Sequence, residues 1–338
     1  MSGKRWAALG IAVGLFIFSV IINFATQMAF KGDGNSWTED FLSTAENEFV
    51  EHTLVQGTGL NKILVLHVNG TIQDTGNDVS SFFNSAGYQH QSFLRMIDQA
   101  KEDNSIKGII LRVNSPGGGV VESAEIHNRL VEFREETEKP VYVSMGTMAA
   151  SGGYYISAAA DKIFAVPDTL TGSLGVIMQG INYSELAERY GVSFETIKSG
   201  PYKDIMSASR DMTKEEREIL QSMVNNAYDG FVEVISSGRN LSEDEVRRIA
   251  DGRIYDGRQA KELNLVDELG YFEDTLEAMK KDHDLGDISV VEYKTHYGFN
   301  SLFTMSAQKL FTEDIELASL MQLVSQPNSP RMMYLYAK

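Results

Sequence analysis

Four short apolar segments constrain the fold most. Residues 62–68, 108–113, 140–145 and 162–166 carry near-continuous apolar runs rather than apolar residues at alternate positions only. A strand of that kind is buried on both faces, which suits a parallel sheet sandwiched between helices. Helical stretches separate the segments. Residues 92–102 place Phe93, Ile97 and Ala100 on one face, and residues 121–136 are amphipathic. Strand–helix–strand repetition predicts βαβ units and an α/β fold with a mainly parallel sheet. Further short strands are predicted at residues 175–178 and 194–198. Residues 214–281 read as mostly helical and charged, opened by Thr213 and Glu216 at capping-box spacing.

Lys4 and Arg5 precede an uncharged run from Trp6 to Phe30, which Lys31 closes. A bilayer core needs about 20 apolar residues as a helix, so residues 1–31 are predicted as a cytoplasmic N-terminus and one transmembrane helix. The run exceeds the roughly 7–15 apolar residues of a cleaved signal peptide. Residues 32–60 are polar and read as a juxtamembrane linker. Residues 61–296 read as the globular body, expected outside the cytoplasmic membrane, and residues 297–338 as a tail rich in Met, Phe, Leu and Ser. The net charge of −17 argues against a nucleic acid partner and against broad adhesion to anionic lipid. There is no cysteine, which excludes disulfides, thiolate metal sites and a cysteine nucleophile.

The residues that could carry chemistry concentrate at four turns. Asn114-Ser115-Pro116-Gly117-Gly118-Gly119 follows the second strand and precedes a helix. Glycine lets the backbone approach a substrate and aim N–H groups at a developing oxyanion. A plain strand-to-helix turn would use the same residues. The Gly-Lys-Ser/Thr ending of a phosphate loop is missing.

Ser151, within Met148-Ala149-Ala150-Ser151-Gly152-Gly153-Tyr154-Tyr155, opens an alanine-rich helix. It reads either as an N-cap or as a nucleophile favoured by the helix dipole, with the Gly152 N–H as an oxyanion donor. Thr171-Gly172-Ser173-Leu174-Gly175 is a turn with a spare hydroxyl, suited to ordinary turn chemistry or to holding an amine. Lys198 and Lys203 flank Ser199-Gly200-Pro201-Tyr202, and each reads alternatively as a solvated charge. Lys162 follows Asp161 and can pair with it.

Beyond Ser151 only His283 and His296 remain, both in polar surroundings. His67 and His127 read as packed or surface residues. A serine nucleophile here lacks an obvious histidine base, and a neutral lysine amine is the usual substitute. The pairing of Ser151 with a lysine, Lys203 foremost, points to a Ser–Lys hydrolase.

Taken together these segments resemble the signal peptide peptidase A family, the membrane-anchored bacterial Ser–Lys peptidases, in the short form with one catalytic domain. The resemblance covers nearly the whole chain. It rests on the Asn114–Gly119 loop, the Ser151 segment, Thr171-Gly172-Ser173-Leu174-Gly175-Val176, Lys198-Ser199-Gly200 with Lys203-Asp204, and Gly252-Arg253-Ile254-Tyr255 with Gly257 and Val266-Asp267. The Ser-Pro-Gly-Gly and Ala-Ala-Ser elements also resemble the Clp protease subunit, whose histidine has no counterpart here.

The resemblance implies a crotonase–Clp type of fold assembled into a homo-oligomeric ring or dome, with no cofactor. By resemblance Ser151 is the nucleophile and Lys203 the general base, a role a neighbouring subunit can supply. Ser173 orients Lys203, and the Gly118 and Gly152 N–H groups form the oxyanion hole. The implied substrates are remnant signal peptides and other short or unfolded peptides at the outer face of the cytoplasmic membrane. Crotonase-type acyl-CoA enzymes share the glycine loop, but the anchor and the serine–lysine pair count against that chemistry. Residues 331–338 are apolar and aromatic behind Pro327-Asn328-Ser329-Pro330. They are expected to enter the peptide groove near Ser151 by strand addition, or to dock at a subunit interface.

Overall fold

The computed structural model describes residues 49–75, 88–295 and 332–336, together with Gly14, Phe16 and Phe18. The predicted transmembrane helix, most of the linker and most of the tail lie outside the described residues. Among the described residues no helix is long and apolar enough to cross a membrane. The chain divides into a unit of residues 1–50 and a unit of residues 51–338, and the second carries the folded body.

The elements run β1 (Phe49–Val55), β2 (Lys62–Asn69), α1 (His90–Glu102), β3 (Ile106–Ser115), β4 (Gly117–Gly119), α2 (Val120–Thr137), β5 (Val141–Ala150), α3 (Gly152–Ser157), β6 (Lys162–Ala165) and β7 (Leu170–Gly172). There follow β8 (Ile177–Met178), α4 (Ser184–Arg189), α5 (Lys214–Arg239), α6 (Glu243–Ile249), β9 (Ile254–Tyr255), α7 (Gly257–Glu262), β10 (Glu268–Leu269), α8 (Phe272–Asp282), β11 (Ser289–Thr295) and β12 (Met332–Leu335). The main sheet has the order β1-β11-β2-β3-β5-β6-β10, with β7 on β5 and β9 on β7. Strands β11, β2, β3, β5, β6, β7 and β10 pair in parallel, and β9 runs antiparallel to β7. The fold is mixed α/β with a mostly parallel sheet, as the apolar strands require.

Both faces of that sheet are covered. Ile63, Val65, Ile110, Tyr142 and Phe164 pack with Leu276 and Met279 of α8. Leu64, Leu66, Ile109 and Leu111 face the other way by the two-residue alternation of a strand, and they are equally buried. Strand β5 is long enough to serve two neighbours. Its first half pairs with β6 and its last three residues with β7, while β3 lies along its other edge. Strands β3, β5 and β7 therefore end side by side. Beyond their ends a second, antiparallel sheet forms in the order β4-β12-β8.

Three boundaries differ from the sequence expectations. The 32–60 stretch contains strand β1. The tail contributes β12 to the body. Residues 194–198, predicted as a strand, join no sheet among the described residues: Phe194 and Ile197 are exposed, and no neighbouring strand offers them a ladder. The capping box is present, with Thr213 accepting from Glu216 and the Glu216 carboxylate returning to the Thr213 N–H.

Helix α5 braces the site from behind through Gly238. A Cβ built there would stand 2.1 Å from the Ala158 carbonyl oxygen at the end of α3. Alanine gains about 1 kcal/mol over glycine in a free helix, but overpacking a fixed backbone contact costs about 1–3 kcal/mol. The clash should win. Gly238→Ala is expected to lower the thermal midpoint by a few degrees, and a raised midpoint would show that α5 is not seated on α3.

Candidate active site

The candidate site lies at the C-terminal ends of β3, β5 and β7, where parallel sheets commonly bind ligands. β3 ends at Ser115, whose Oγ accepts from the Gly117 N–H at 3.0 Å. Gly117 has φ 102°, open to glycine but rarely to other residues, and this turns the chain into β4. Ile72 holds one edge of β4: its N–H donates to the Gly117 carbonyl at 2.9 Å, and its carbonyl accepts from the Gly119 N–H at 2.8 Å.

β12 holds the other edge of β4, with Leu335, Tyr334 and Met333 opposite Gly117, Gly118 and Gly119. The Tyr336 N–H donates to the Pro116 carbonyl at 2.9 Å. Bonded pairs recur at every second residue of an antiparallel ladder, so Gly118 and Tyr334 form the next one, and the Gly118 N–H faces the Tyr334 carbonyl. A Cβ built on Gly117 would stand 2.0 Å from the Tyr334 oxygen and 2.6 Å from the Gly152 nitrogen. The bare face of Gly117 thus lies between the Tyr334 carbonyl and the Gly152 nitrogen.

Ser151 occupies the N-cap position of α3 with φ 55° and ψ −116°, outside the left-handed helical well. A strained backbone of this kind costs about 1–3 kcal/mol and persists only where neighbours enforce it. Here they do. The Ser151 N–H donates to the Gly172 carbonyl at 2.8 Å, and its carbonyl accepts from the Tyr155 N–H at 2.9 Å. The N-cap reading requires a side-chain bond to the helix, and none exists. The Ser151 hydroxyl is buried with no hydrogen-bond partner among the described residues.

Ser173 has φ 50°, is buried, and donates its N–H to the Arg253 carbonyl at 2.7 Å. Ala150 and Gly172 are register partners, so the two strained serines leave neighbouring strand ends side by side.

The lysines separate clearly. Lys162 lies beside Tyr142, early in β5 and far along the strand from Ser151, and pairs with Asp282 at 2.5 Å. Lys198 pairs with Asp204 at 2.6 Å and donates to the Pro201 carbonyl at 3.0 Å. Lys203 is exposed, and its amine has no ion pair or hydrogen bond among the described residues. No bond joins it to Ser151 within one chain. No histidine among the described residues bonds the Ser151 hydroxyl either. His283 sits edge-on against Tyr142, His127 edge-on against Tyr155, and His296 lies outside the described residues.

The segment carrying Lys203 is braced by charge. Arg210 bonds both Asp204 and Glu216, with Nη2 at 2.7 Å and 2.5 Å from their oxygens. Arg210, then Lys198, hold the Asp204 carboxyl well below the usual carboxylate range. Arg210, then the Thr213 N–H, hold Glu216 down to about 2.

An aromatic pocket completes the groove. The buried Tyr334 ring stacks on Tyr155 with centroids 4.9 Å apart and tilts against Phe231 at 4.6 Å. Burial pushes the Tyr334 hydroxyl up, so it stays protonated and donates to the Ala227 carbonyl at 3.0 Å. Sequence reading did not find this pocket. Its members are far apart in the chain, and only the aromatic character of the tail hinted at one of them.

The model of Peptidase family S49 matches residues 133–286, and that of Clp protease matches residues 88–171. A protein of Enterococcus faecium named as a signal peptide peptidase SppA is 41% identical over 345 positions, covering 99% of each chain. The chain belongs to the signal peptide peptidase A family. It is a serine-type peptidase. A Methanocaldococcus jannaschii protein named as a protease is 38% identical and spans 70% of this chain and 75% of its own. Protease 4 of Haemophilus influenzae is 38% identical over 64% of this chain but only 34% of its own length.

The brace has a pH signature. Asp204 and Glu216 titrate lower in the folded peptidase than free carboxyls do, so their contribution is present above pH 4.5 and is lost as pH falls toward 2. Hydrogen-exchange protection of residues 204–213, corrected for intrinsic rates, is expected to hold from pH 7 to about 5 and to fall below about 4. Arg210→Met should lose that protection at every pH. Unchanged protection in Arg210→Met would mean that other contacts hold the segment.

Proposed function

We propose that the peptidase cleaves the bond after a peptide carbonyl seated in the glycine cradle, with Ser151 as nucleophile and Lys203 of a neighbouring copy as general base. The observation that carries this reading is the Tyr334 carbonyl facing the Gly118 N–H across the bare edge of Gly117, next to which lies the Gly152 nitrogen at the N-terminus of the helix that Ser151 opens. Ser151 Oγ attacks the carbonyl carbon while the lysine amine takes its proton. The Gly118 and Gly152 N–H groups hold the oxyanion, a contribution of about 10²–10³ in rate per donor. The lysine returns the proton to the leaving amine. Water then attacks the acyl-Ser151 ester with the same amine as base. The Ser173 hydroxyl, beside Ser151 in register, holds the amine in line.

A second copy is invoked because Lys203 stands exposed and unpaired while Lys162 and Lys198 are each held by a carboxylate. In the segment that precedes it Ile181, Leu186, Tyr190, Val192, Phe194 and Ile197 are also exposed. Apolar surface of this extent marks an interaction site. Covering it with further copies would build the ring or dome and bring each Lys203 to a neighbour's Ser151. Extended apolar peptides with an aromatic residue for the Tyr155–Phe231 pocket suit the groove, and remnant signal peptides are of that class. Anchored by residues 6–30, the body would work at the outer face of the cytoplasmic membrane. The tail sits as a substrate would, which makes it a self-substrate at the Tyr334–Leu335 bond.

Ser151→Ala and Lys203→Ala are each expected to lower the turnover of a peptide substrate by about 10⁴-fold or more without unfolding the protein. Lys162→Ala and Lys198→Ala should keep most activity. Near-normal turnover by Lys203→Ala would remove it as the base. An amine accepts a proton only when neutral, so the wild-type rate should rise from neutral to alkaline pH. Intact-mass analysis should find wild-type chains lacking residues 335–338 and Ser151→Ala chains complete. Identical C-termini in the two would contradict self-cleavage.

A further inference from the structure

Two buried serine hydroxyls have no hydrogen-bond partner among the described residues, those of Ser151 and Ser123. The reaction proposed above uses the first and not the second. Ser123 is the fourth residue of α2 and has no exposed surface. A serine inside a helix commonly gives its hydroxyl hydrogen to the carbonyl four residues back. Ser157 does so in α3, donating to the Gly153 carbonyl at 2.7 Å. The buried hydroxyls of Ser115 and Ser144 accept from the Gly117 N–H and from Arg112. Ser123 forgoes such a bond, although the Gly119 carbonyl stands four residues back. A buried hydroxyl without a partner costs stability, and a native protein that keeps one does so for a reason.

That hydroxyl lies against the proposed oxyanion donors. A Cβ built on Gly152 would stand 2.6 Å from Ser123 Oγ, 3.0 Å from the Gly118 nitrogen and 3.2 Å from the Gly117 Cα. Ser123 Oγ and the Gly118 nitrogen therefore border one gap, left by the missing side chain of Gly152. The Gly152 nitrogen borders it too, since it is bonded to the same Cα. On its other side Gly117 meets the seated carbonyl, with a built Cβ 2.0 Å from the Tyr334 oxygen. Two backbone nitrogens and one hydroxyl thus surround the glycines against which the carbonyl rests.

We infer that Ser123 is a third oxyanion donor, a catalytic residue supplied by α2. This role rests on the proposed attack of Ser151 on a carbonyl seated along β4. A neutral carbonyl oxygen has two lone pairs. As the bond from Ser151 Oγ to the carbonyl carbon forms, the C=O π pair moves onto the oxygen, which then has three lone pairs and a negative charge. The Ser123 O–H donates to that oxygen and keeps its proton. A hydroxyl bond to an oxyanion is shorter and about twice as strong as one to a neutral group. Ser123 is therefore idle while the peptide is bound and engaged once the carbonyl becomes tetrahedral. An interaction made only in the transition state raises kcat and leaves substrate binding alone.

The test compares full-length wild type with Ser123→Ala on acetyl-Met-Met-Tyr-Leu-Tyr-Ala-Lys. Ser123→Ala is expected to lower kcat by at least about tenfold and to leave KM within about twofold. Its thermal midpoint should not fall, since alanine removes a buried group that has no partner. An unchanged kcat would overturn the role. A fall in kcat together with a changed KM or a lower midpoint is decided by acetyl-Met-Met-tyrosinal, whose aldehyde carbon takes Ser151 Oγ and leaves a tetrahedral oxygen in the same place. Inhibition weakened by the factor that kcat/KM loses upholds the donor, and equal inhibition of wild type and Ser123→Ala overturns it. If Ser123→Ala does not fold, Ser123→Cys serves for both comparisons, keeping the shape with a weaker donor. Failure of the proposed reaction is a separate result, in which Ser151→Ala stays active or the wild type leaves the peptide intact. Binding of the aldehyde to wild type and Ser123→Ala then decides: weaker binding by Ser123→Ala upholds the donor, and equal binding overturns it.

Discussion

Three backbones meet at Gly117, and the rest of the site depends on how closely they approach. A Cβ there would lie 2.0 Å from the Tyr334 carbonyl oxygen, and one on Gly118 would lie 1.8 Å from the Ile72 carbonyl oxygen. Any side chain on the peptide-facing edge of β4 would push the seated strand away from the Gly118 and Gly152 nitrogens. The requirement is steric before it is electrostatic. The parallel strands meet it by ending together. β3 delivers the glycines, β5 delivers Ser151, and β7 delivers Ser173, each from a ladder too rigid to drift. The strain at Ser151 is sustained by the same ladders, through its bond to the Gly172 carbonyl.

Electrostatics then distinguishes the lysines. In a chain with 47 acidic and 30 basic residues, a lysine readily finds a carboxylate. Lys162 and Lys198 have done so. Lys203 has not, although Asp204 is its sequence neighbour, because Arg210 and Lys198 already occupy that carboxylate. The Arg210 brace therefore does two things. It orders the segment, and it keeps the nearest acid from claiming the exposed amine. A free amine that follows a segment of uncovered apolar residues is consistent with completion of the site by another copy.

The sequence revealed the frame more readily than the fit. Strands β2, β3, β5 and β6 were legible because apolar residues in unbroken runs have few other homes. The turns at Gly117 and Ser151 were legible as candidates because glycine and small residues cluster where a chain must bend sharply. Residues 194–198 read as a strand because Phe194, Thr196 and Ile197 have strand propensity, yet propensity cannot supply a partner. The Tyr155–Phe231–Tyr334 pocket was hidden because its members come from α3, α5 and β12, brought together only by the fold. The unoccupied state of Lys203 was hidden as well. It depends on which acid each neighbouring cation takes, and spacing does not reveal that.

The central claim is that one copy's Ser151 works with another copy's Lys203. Mixing Ser151→Ala with Lys203→Ala after subunit exchange tests it directly, since neither parent should cleave a peptide. With the two residues drawn from adjacent copies around a closed assembly, a one-to-one mixture restores both at about a quarter of the sites. The account therefore expects roughly that share of wild-type activity. Parents that stay inactive when mixed, with exchange proven by mass spectrometry of the mixed assembly, would contradict it and place the dyad within one chain.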